Sequence, residues 1–450
     1  MMKRIISILA VVILTANIVQ SQNLLKFKNY QAATVGIYIQ DLKTRKIVAS
    51  ENPSKAMTPA SVTKSITVAG AMFHIDEDFQ YKTNVYLIGD TANIDGTLYC
   101  DIVVETSSDP TLESEHFDAN KTFVSSIVQS VSKLGINNIN GEIKYIHTNK
   151  VADYTSSWMI EDVAWDYGTG YRDFNYKDNK FILTLDADSA QFRTDTPVPG
   201  LNLSLGLKSA TRKSISLSRP VGSKDLYVYG TYNAQNPTIK AACSLPDSKQ
   251  AFETDLVNAL SVNSVSFNRT YNEITKDTVL IYSHKSPKRN DIMRSLMVRS
   301  DNMFADAIMQ TIDGENSTDS IMNFFEKKGI NCNCVNLADG CGLSRIDQLT
   351  PKFIGDVYRL MYNSKYQEDY VATFPRAGKD GTMKNFCKGT RLEGKLALKT
   401  GSMSGVQCYG GYKLNDDGEP THSVVIMINN FFCERFALRK EVENFLLRIF

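Results

Sequence analysis

The chain has 450 residues, which exceeds the size of a typical single domain and predicts two or three domains. It carries 50 lysines and arginines against 49 acidic residues, for a formal net charge of +1. A balance this even gives no reason to expect a nucleic acid or an anionic membrane as a partner.

The first 21 residues have the pattern of a signal peptide. Lys3 and Arg4 precede an apolar run at 5–18, and a stretch ending at Ser21 offers small residues for cleavage. The apolar run is shorter than the ~20 residues that span a bilayer, and no later run is long and apolar enough to do so. We therefore expect export, to the periplasm, and no membrane span after removal of the signal.

The eight cysteines do not by themselves indicate a site, because export permits disulfides without requiring them. Cys332, Cys334 and Cys341 are close enough in sequence to suggest zinc, but no C-x-x-C repeat or H-x-x-x-H pair accompanies them. Free buried thiols or a local disulfide are the alternatives, and we expect no metal or cofactor.

The predicted elements begin with a β-hairpin at 33–42 and 46–51, where β-branched and apolar residues flank a polar turn. A helix follows from Ser61 to about Ile75, with apolar residues at helical spacing. Between about residues 79 and 283, short alternating stretches punctuated by Asp, Asn, Gly and Pro predict a mostly β module.

Helices return from Asn290 onward, as two amphipathic runs that meet at 300–302 and a third that follows them. Three strand segments and a final helix complete the chain, at 395–401, 405–414, 422–431 and 433–450. The final helix mixes acids with bases, which favours packing on the sheet over anchoring to a membrane surface. This order predicts one α/β domain, at 22–80 and 281–450, interrupted by an inserted β-rich domain at 81–280.

Ser61 is a candidate nucleophile, because it forms the pattern S-x-x-K with Lys64 in "TPASVTKSITVAG". On a helix the two residues share a face, so that the amine can accept the hydroxyl proton, and a helix N-terminus favours negative charge on that oxygen. A lysine acts as a base only when burial or a second cation lowers its pKa. The pattern alone is weak, since Ser130 and Lys133 repeat it.

A second pattern, S-x-N, occurs at Ser300, Asp301 and Asn302 between two predicted helices. A hydroxyl and an amide can both face a cleft from such a position. The same pattern occurs at 261–263 and 266–268, and an ordinary helix N-cap is the plain alternative.

A third pattern, K-T-G, occurs at Lys399, Thr400 and Gly401 on a predicted strand and is followed by Ser402. A lysine and a hydroxyl on an edge strand can hold a carboxylate while a strand amide faces a substrate backbone. The alternative is a solvated lysine before a turn.

In the order S-x-x-K, S-x-N, K-T-G, the three patterns resemble the penicillin-recognising serine acyltransferases, which include the β-lactamases and the penicillin-binding proteins. Ser61 and Ser300 are 239 positions apart, and the β-rich stretch fills this gap. The chain is therefore similar to the class C low-molecular-mass penicillin-binding proteins, the D-alanyl-D-alanine carboxypeptidase/endopeptidase family. Further matching segments are "SSDPTL" (107–112), "WMIED" (158–162), "DN" (178–179), "DGCGLSR" (339–345), "AGKDGTM" (377–383) and "IMINNF" (426–431). Two departures are Ser107 and Ser108, where the family usually has glycines, and Cys341, where it has serine.

The resemblance implies a β-lactamase/transpeptidase-like domain with an antiparallel sheet flanked by helices, and the roles of its residues. Ser61, Lys64 and Ser300 would be nucleophile, base and proton relay. Asn302, Lys399, Thr400, Gly401 and Ser402 would bind the substrate, with the amides of Ser61 and Ser402 as the oxyanion hole. The reaction would be hydrolysis of D-Ala-D-Ala, and also of D-Ala cross-links to a diamino acid, in peptidoglycan stem peptides. A β-lactam would acylate Ser61.

Two alternatives remain at this stage. A serine β-lactamase would have no obvious use for the large insertion, and a silent peptidoglycan-binding or scaffold protein would be expected to have lost one of the motif residues. The five histidines stand in no recognisable relation to a G-x-S-x-G elbow, so we interpret them as surface or structural residues.

Overall fold

A computed structural model describes residues 24–147, 157–270 and 277–450. The predicted signal peptide, 1–21, lies outside the described residues. The helices are α1 Thr63–His74, α2 Phe123–Lys133, α3 Ser248–Val262, α4 Arg289–Arg299, α5 Asn302–Asp313, α6 Ser317–Lys327, α7 Pro351–Tyr362, α8 Gln367–Thr373 and α9 Arg435–Ile449. The strands are β1 Thr34–Asp41, β2 Ile47–Glu51, β3 Lys82–Ile94, β4 Thr97–Thr106, β5 Asn138–Gly141, β6 Ile143–His147, β7 Lys180–Asp186, β8 Phe192–Thr194, β9 Asn202–Ala210, β10 Ser214–Ser218, β11 Asp225–Asn233, β12 Thr238–Ser244, β13 Ser266–Arg269, β14 Asp277–Lys285, β15 Leu396–Met403, β16 Val406–Leu414 and β17 Pro420–Asn429.

One five-stranded antiparallel sheet joins the two ends of the described chain, in the order β15-β16-β17-β1-β2. The first strand, β1, is apolar and buried along most of its length, because helices cover both faces of the sheet. Its residues alternate between the two faces. Tyr38 belongs to the hydrophobic cluster that includes residues of α1, α5 and α7, whereas Ile37 and Ile39 belong to the cluster that includes the apolar side of α9. This arrangement confirms the predicted hairpin, the predicted C-terminal strands and the packing of the last helix on the sheet.

The β-rich middle of the chain has its own hydrophobic core, formed by residues between Val85 and Val265. It contains a sheet in the order β13-β5-β4-β3-β14, with β6 paired to β4, and two three-stranded sheets, β12-β7-β8 and β10-β11-β9. Helices α2 and α3 contribute apolar side chains to the same core. We propose the domain limits 22–80 with 281–450, and 81–280, on the basis of these separate cores.

The structure distinguishes between the alternatives for the cysteines. All eight cysteines are free thiols, so a local disulfide between Cys332 and Cys334 is not formed. Cys332 is partly buried and Cys334 is exposed, whereas Cys341 is buried in a separate loop.

Within the described ranges, no helix has the length and apolar character that a membrane crossing requires.

The segment "SSDPTL" contains both a departure from the family pattern and a buried acid. Ser108 has φ 62°, a backbone conformation that favours glycine, so the serine here is held in a left-handed turn. Next to it, Asp109 is fully buried and accepts hydrogen bonds from the amide and hydroxyl of Thr111, at 2.8 and 2.7 Å. Its second oxygen has no hydrogen-bond partner and lies 3.7 Å from Nε2 of His284. Burial raises the pKa of Asp109 to about 7.

We expect the variant Asp109→Asn to stabilise the protein at neutral and alkaline pH but not at acidic pH. Because the folded-state pKa of Asp109 lies above its usual value, the wild type loses stability as pH rises from about 4 to about 7, and asparagine removes that loss. The Tm measured by calorimetry should therefore rise by about 2 °C at pH 8 and stay unchanged at pH 4.5. An equal shift at both pH values would contradict this assignment.

Candidate active site

Ser61 lies in a short 3₁₀ turn, Ala60–Val62, that precedes α1. The predicted helix start at Ser61 is therefore two residues early, since α1 begins at Thr63. The physical reason is Ala60, whose φ of 47° is incompatible with a right-handed helix. A non-glycine residue in this region costs free energy, which the surrounding packing must offset. The turn leaves Ser61 partly exposed at the surface, while Lys64 is completely buried beneath it.

The amine of Lys64 has three hydrogen-bond partners, of which one is close in sequence and two are distant. Its Nζ lies 3.1 Å from Oγ of Ser61, 2.5 Å from Oδ1 of Asn302 and 2.6 Å from the carbonyl oxygen of Cys341. A neutral amine has two N–H groups and one lone pair. The amide and carbonyl oxygens can only accept, so in the neutral form the lone pair is left for the Ser61 hydroxyl. The geometry therefore suits proton transfer from Ser61 to Lys64.

The S-x-N pattern connects α4 to α5. Ser300 ends α4 with φ 66°, and Asp301 caps α5 by accepting a hydrogen bond from the amide of Phe304 at 3.0 Å. The N-cap interpretation is therefore correct for Asp301. Asn302 accepts from Lys64 through Oδ1 and donates through Nδ2 to the carbonyl of Tyr167 at 2.6 Å, which fixes the orientation of its amide.

Lys399 supplies a second buried amine from β15, an edge strand of the central sheet. Its Nζ donates to Oγ of Ser300 at 2.8 Å and to the carbonyl of Thr400 at 2.7 Å. Burial, and then the positive charge of Lys64, lower the pKa of Lys399 well below its usual value. The alternative of a solvated lysine is therefore wrong, and two lysines interact in this site.

The remaining K-T-G residues differ in their surroundings. Thr400 is partly exposed and donates to the hydroxyl of Thr382 at 2.9 Å, while Ser402 is exposed. Gly401 packs directly against the turn that carries Ser61. A Cβ atom built on Gly401 would lie 2.4 Å from the carbonyl oxygen of Pro59 and 3.1 Å from the amide nitrogen of Ser61. Only glycine allows β15 to approach this turn so closely.

These groups border a cleft of about 420 Å³. It is lined by Ser61, Glu161, Asp162, Tyr167, Ser300, Asn302, Gly342, Leu343, Arg345, Ser402, Met403 and Ser404. Lys64 and Lys399 reach it from below through Ser61 and Ser300, whereas Thr400 is not part of the lining. No histidine of the described chain lines the cleft, consistent with their interpretation as surface or structural residues.

The other serine in an S-x-x-K pattern, Ser130 on α2, has quite different surroundings. Ser130 lies inside the helix, and its hydroxyl donates to the carbonyl of Ser126 in the preceding turn at 2.9 Å. Its partner in the pattern, Lys133, forms the end of the same helix. The S-x-x-K pattern therefore becomes a paired hydroxyl and amine only at Ser61.

Sequence reasoning missed several residues of the cleft. Glu161, Asp162 and Tyr167 come from the β-rich middle of the chain, and Arg345 comes from the loop after "DGCGLS". Burial raises the pKa of Asp162, the charge of Glu161 adds to this, and the charge of Arg345 opposes it. The sequence signal for these residues was the charge within "WMIED" and "DGCGLSR". Those segments were interpreted only as matches to the family.

Comparison with known proteins places these features in a family. The model of the D-Ala-D-Ala carboxypeptidase 3 (S13) family matches residues 19–445. D-alanyl-D-alanine carboxypeptidase DacB of Haemophilus influenzae is 23% identical, over 89% of this chain and 86% of the relative. The crystal structure of penicillin binding protein 4 (dacB) from H. influenzae superposes with a TM-score of 0.79 at 20% identity, covering 96% of this chain and 99% of that one. The same protein complexed with a β-lactam has a TM-score of 0.73 at 21% identity, covering 93% and 96%.

We expect the variant Gly401→Ala to slow acylation of Ser61 by a fluorescent penicillin at least about tenfold. The added methyl group would meet the carbonyl of Pro59, so β15 must move away from the Ser61 turn. The rate should be measured by stopped-flow or gel fluorescence, with circular dichroism to establish that the sheet is intact. A folded variant that is acylated at the wild-type rate would show that the close approach is unimportant.

Proposed function

The chain belongs to the D-Ala-D-Ala carboxypeptidase 3 (S13) family and is a serine-type D-Ala-D-Ala carboxypeptidase, and on this premise we propose that Ser61 is its nucleophile and Lys64 its base. One observation carries the proposal. The amine of Lys64 has acceptor-only partners at Asn302 and Cys341, so a neutral amine keeps its lone pair for the hydroxyl of Ser61.

Acylation begins when Oγ of Ser61 attacks the carbonyl carbon of the penultimate D-alanine and Lys64 takes the hydroxyl proton. Negative charge then develops on the carbonyl oxygen. The main-chain amides of Ser61 and Ser402 are the proposed oxyanion hole, and the close packing of Gly401 against the Ser61 turn supports this assignment. Burial, and then the positive charge of Lys64, lower the pKa of Lys399, so the two amines disfavour carrying two charges at once.

Departure of the amine requires a proton, and we propose that the proton taken by Lys64 reaches the leaving amine through Ser300. Its hydroxyl is held by Lys399 at 2.8 Å, and it lines the same cleft as Ser61. Lys399, Thr400 and Ser402 are proposed to bind the terminal carboxylate, and Asn302 to bind an amide of the substrate. Water then attacks the acyl group, which releases the shortened peptide and restores Ser61.

The proposed substrate is the stem peptide of peptidoglycan, at its terminal D-alanine or at a D-Ala cross-link to a diamino acid. The cleft supports this choice because it contains two acidic side chains, Glu161 and Asp162, and the positively charged side chain of Arg345. A side chain that ends in an amine and a carboxylate would find an opposite charge for each group. Such a substrate agrees with export to the periplasm, which we also propose for this chain. A β-lactam is the proposed covalent inhibitor, and the H. influenzae protein forms a complex with a β-lactam.

We expect Ser61→Ala to abolish covalent labelling by a fluorescent penicillin, because the attacking oxygen is lost. The matched control is Ser130→Ala, which alters the same S-x-x-K pattern in α2 and should label like the wild type. Labelling should be followed on denaturing gels and located by peptide mass spectrometry. A long-lived adduct supports a peptidase, rapid loss of the adduct indicates a β-lactamase, and unlabelled wild type would overturn the nucleophile assignment.

We expect Arg345→Ala to reduce kcat/KM on a D-Ala-D-Ala peptide that carries a diamino acid by about tenfold. A charge-assisted hydrogen bond contributes roughly 1.5–3 kcal/mol, and the alanine variant lacks it. A second peptide, with the diamino acid replaced by alanine, should lose less than about twofold. Equal losses on both peptides, measured by release of D-alanine, would show that Arg345 does not recognise the side chain of the diamino acid.

A further inference from the structure

We propose that Asp339 is a positioning residue for the base, Lys64. Asp339 fixes the loop whose Cys341 carbonyl accepts a hydrogen bond from Lys64, and Trp158 from the β-rich insertion holds the Asp339 carboxylate in place. This proposal rests on the proposed function of Lys64. Asp339 does not itself line the cleft, so its effect must pass through the loop 339–344.

The carboxylate of Asp339 is almost fully buried and accepts four N–H groups. Oδ1 accepts from the amide of Cys341 at 3.0 Å and from the amide of Gly342. Oδ2 accepts from the amide of Ser344 at 2.7 Å and from the indole Nε1 of Trp158 at 2.9 Å. Three amides of one short loop thus converge on a single side chain, which determines where the Cys341 carbonyl points.

The same loop is tied to the catalytic helix at a second point. Thr67, one turn after Lys64 on α1, donates to the carbonyl of Gly340 at 2.7 Å, and Asp306 accepts from the amide of Gly340 at 2.9 Å. Gly342 follows with φ 80°, and a Cβ atom there would lie 2.0 Å from the carbonyl oxygen of Ala60. The loop therefore packs against the turn that carries Ser61 and has little freedom to move.

The chemical consequence concerns the direction of a lone pair. With Asn302 and Cys341 each accepting one N–H of a neutral Lys64, the remaining lone pair is directed at Ser61. Without the Cys341 carbonyl the amine can rotate about its last carbon–nitrogen bond, and the lone pair is aimed at Ser61 only part of the time. The loss would fall on the acylation step and leave substrate binding largely unchanged.

A cation site is the competing explanation for this cluster. Ligand atoms of Asp306, Asp339 and Cys341 lie within 4.8 Å of one another. However, both oxygens of Asp339 already accept N–H groups, and the amine of Lys64 is adjacent to the loop. Burial, and then the charge of Asp339, raise the pKa of Asp306 well above its usual value, which favours a protonated carboxyl that binds metals weakly. The observations therefore favour positioning over metal binding.

Trp158 gives the insertion a direct role in this arrangement. Its indole donates to Asp339 from outside the loop, and the adjacent Ser157 accepts a hydrogen bond from the hydroxyl of Ser344 at 2.8 Å. Glu161 and Asp162 of the cleft follow a few positions later on the same segment. The segment that faces the substrate thus also secures the loop behind the base.

The test compares Asp339→Asn and Trp158→Phe with the matched control Asp247→Asn, which alters a carboxylate that accepts the amide of Gln250 at the N-cap of α3 and does not line the cleft. In Asp339→Asn, the new amide group would face the N–H groups of Ser344 and Trp158, so those contacts are lost. The measured quantities are the acylation rate constant and the pre-covalent dissociation constant for a chromogenic penicillin, with Tm for each variant. We expect acylation to slow by about 30- to 100-fold in Asp339→Asn, about 3- to 10-fold in Trp158→Phe, and less than about twofold in Asp247→Asn.

The split between rate and binding decides the outcome. A dissociation constant that stays within about threefold of wild type, together with slowed acylation, supports positioning. Weaker binding with an unchanged acylation rate constant would overturn it, as would wild-type acylation in a folded Asp339→Asn. Should Asp339→Asn fail to fold, Trp158→Phe carries the same test. A Tm increase on adding Zn²⁺ to the wild type that Asp339→Asn abolishes would also overturn it, in favour of a metal site. Failure of the proposed function is distinct, since the wild type itself would then remain unlabelled at Ser61.

Discussion

The need to satisfy one buried amine organises the whole site. Lys64 is completely buried, and an amine in that position costs several kcal/mol unless each of its hydrogens and its lone pair has a partner. Its partners come from the turn before α1, from the first residue of α5 and from a loop beyond α6. The packing of these three segments must therefore be correct before the amine is stable, so the position of the base depends on the fold as a whole.

The second buried amine makes this requirement stricter and more useful. Lys399 and Lys64 repel each other, and burial disfavours charge on Lys399 further. The site therefore disfavours carrying two positive charges at once. The strand that carries Lys399, β15, packs closely against the Ser61 turn, where Gly401 allows backbone to approach backbone.

Much of this could be predicted from sequence, and what could not has a common cause. The order of S-x-x-K, S-x-N and K-T-G identified side chains that the structure brings together, and alternating strands identified the insertion. Two of the missed groups are main-chain atoms. The carbonyls of Cys341 and Tyr167 hold Lys64 and Asn302, yet a carbonyl is present at every residue and has no sequence signature. The start of α1 was predicted two residues too early for a related reason. The left-handed conformation of Ala60 comes from tertiary packing and not from its residue type.

The insertion separates the first two motifs in sequence and links them in space. Tyr167 orients the amide of Asn302, Trp158 donates to Asp339, and Glu161 with Asp162 borders the cleft. Without these contacts, Asn302 and Asp339 would each keep their bonds to the catalytic domain but lose a fixed orientation. A β-rich region with its own core could in principle be an independent attachment. Here it contacts Asn302 and Asp339, so the geometry around Lys64 depends on both parts of the chain together.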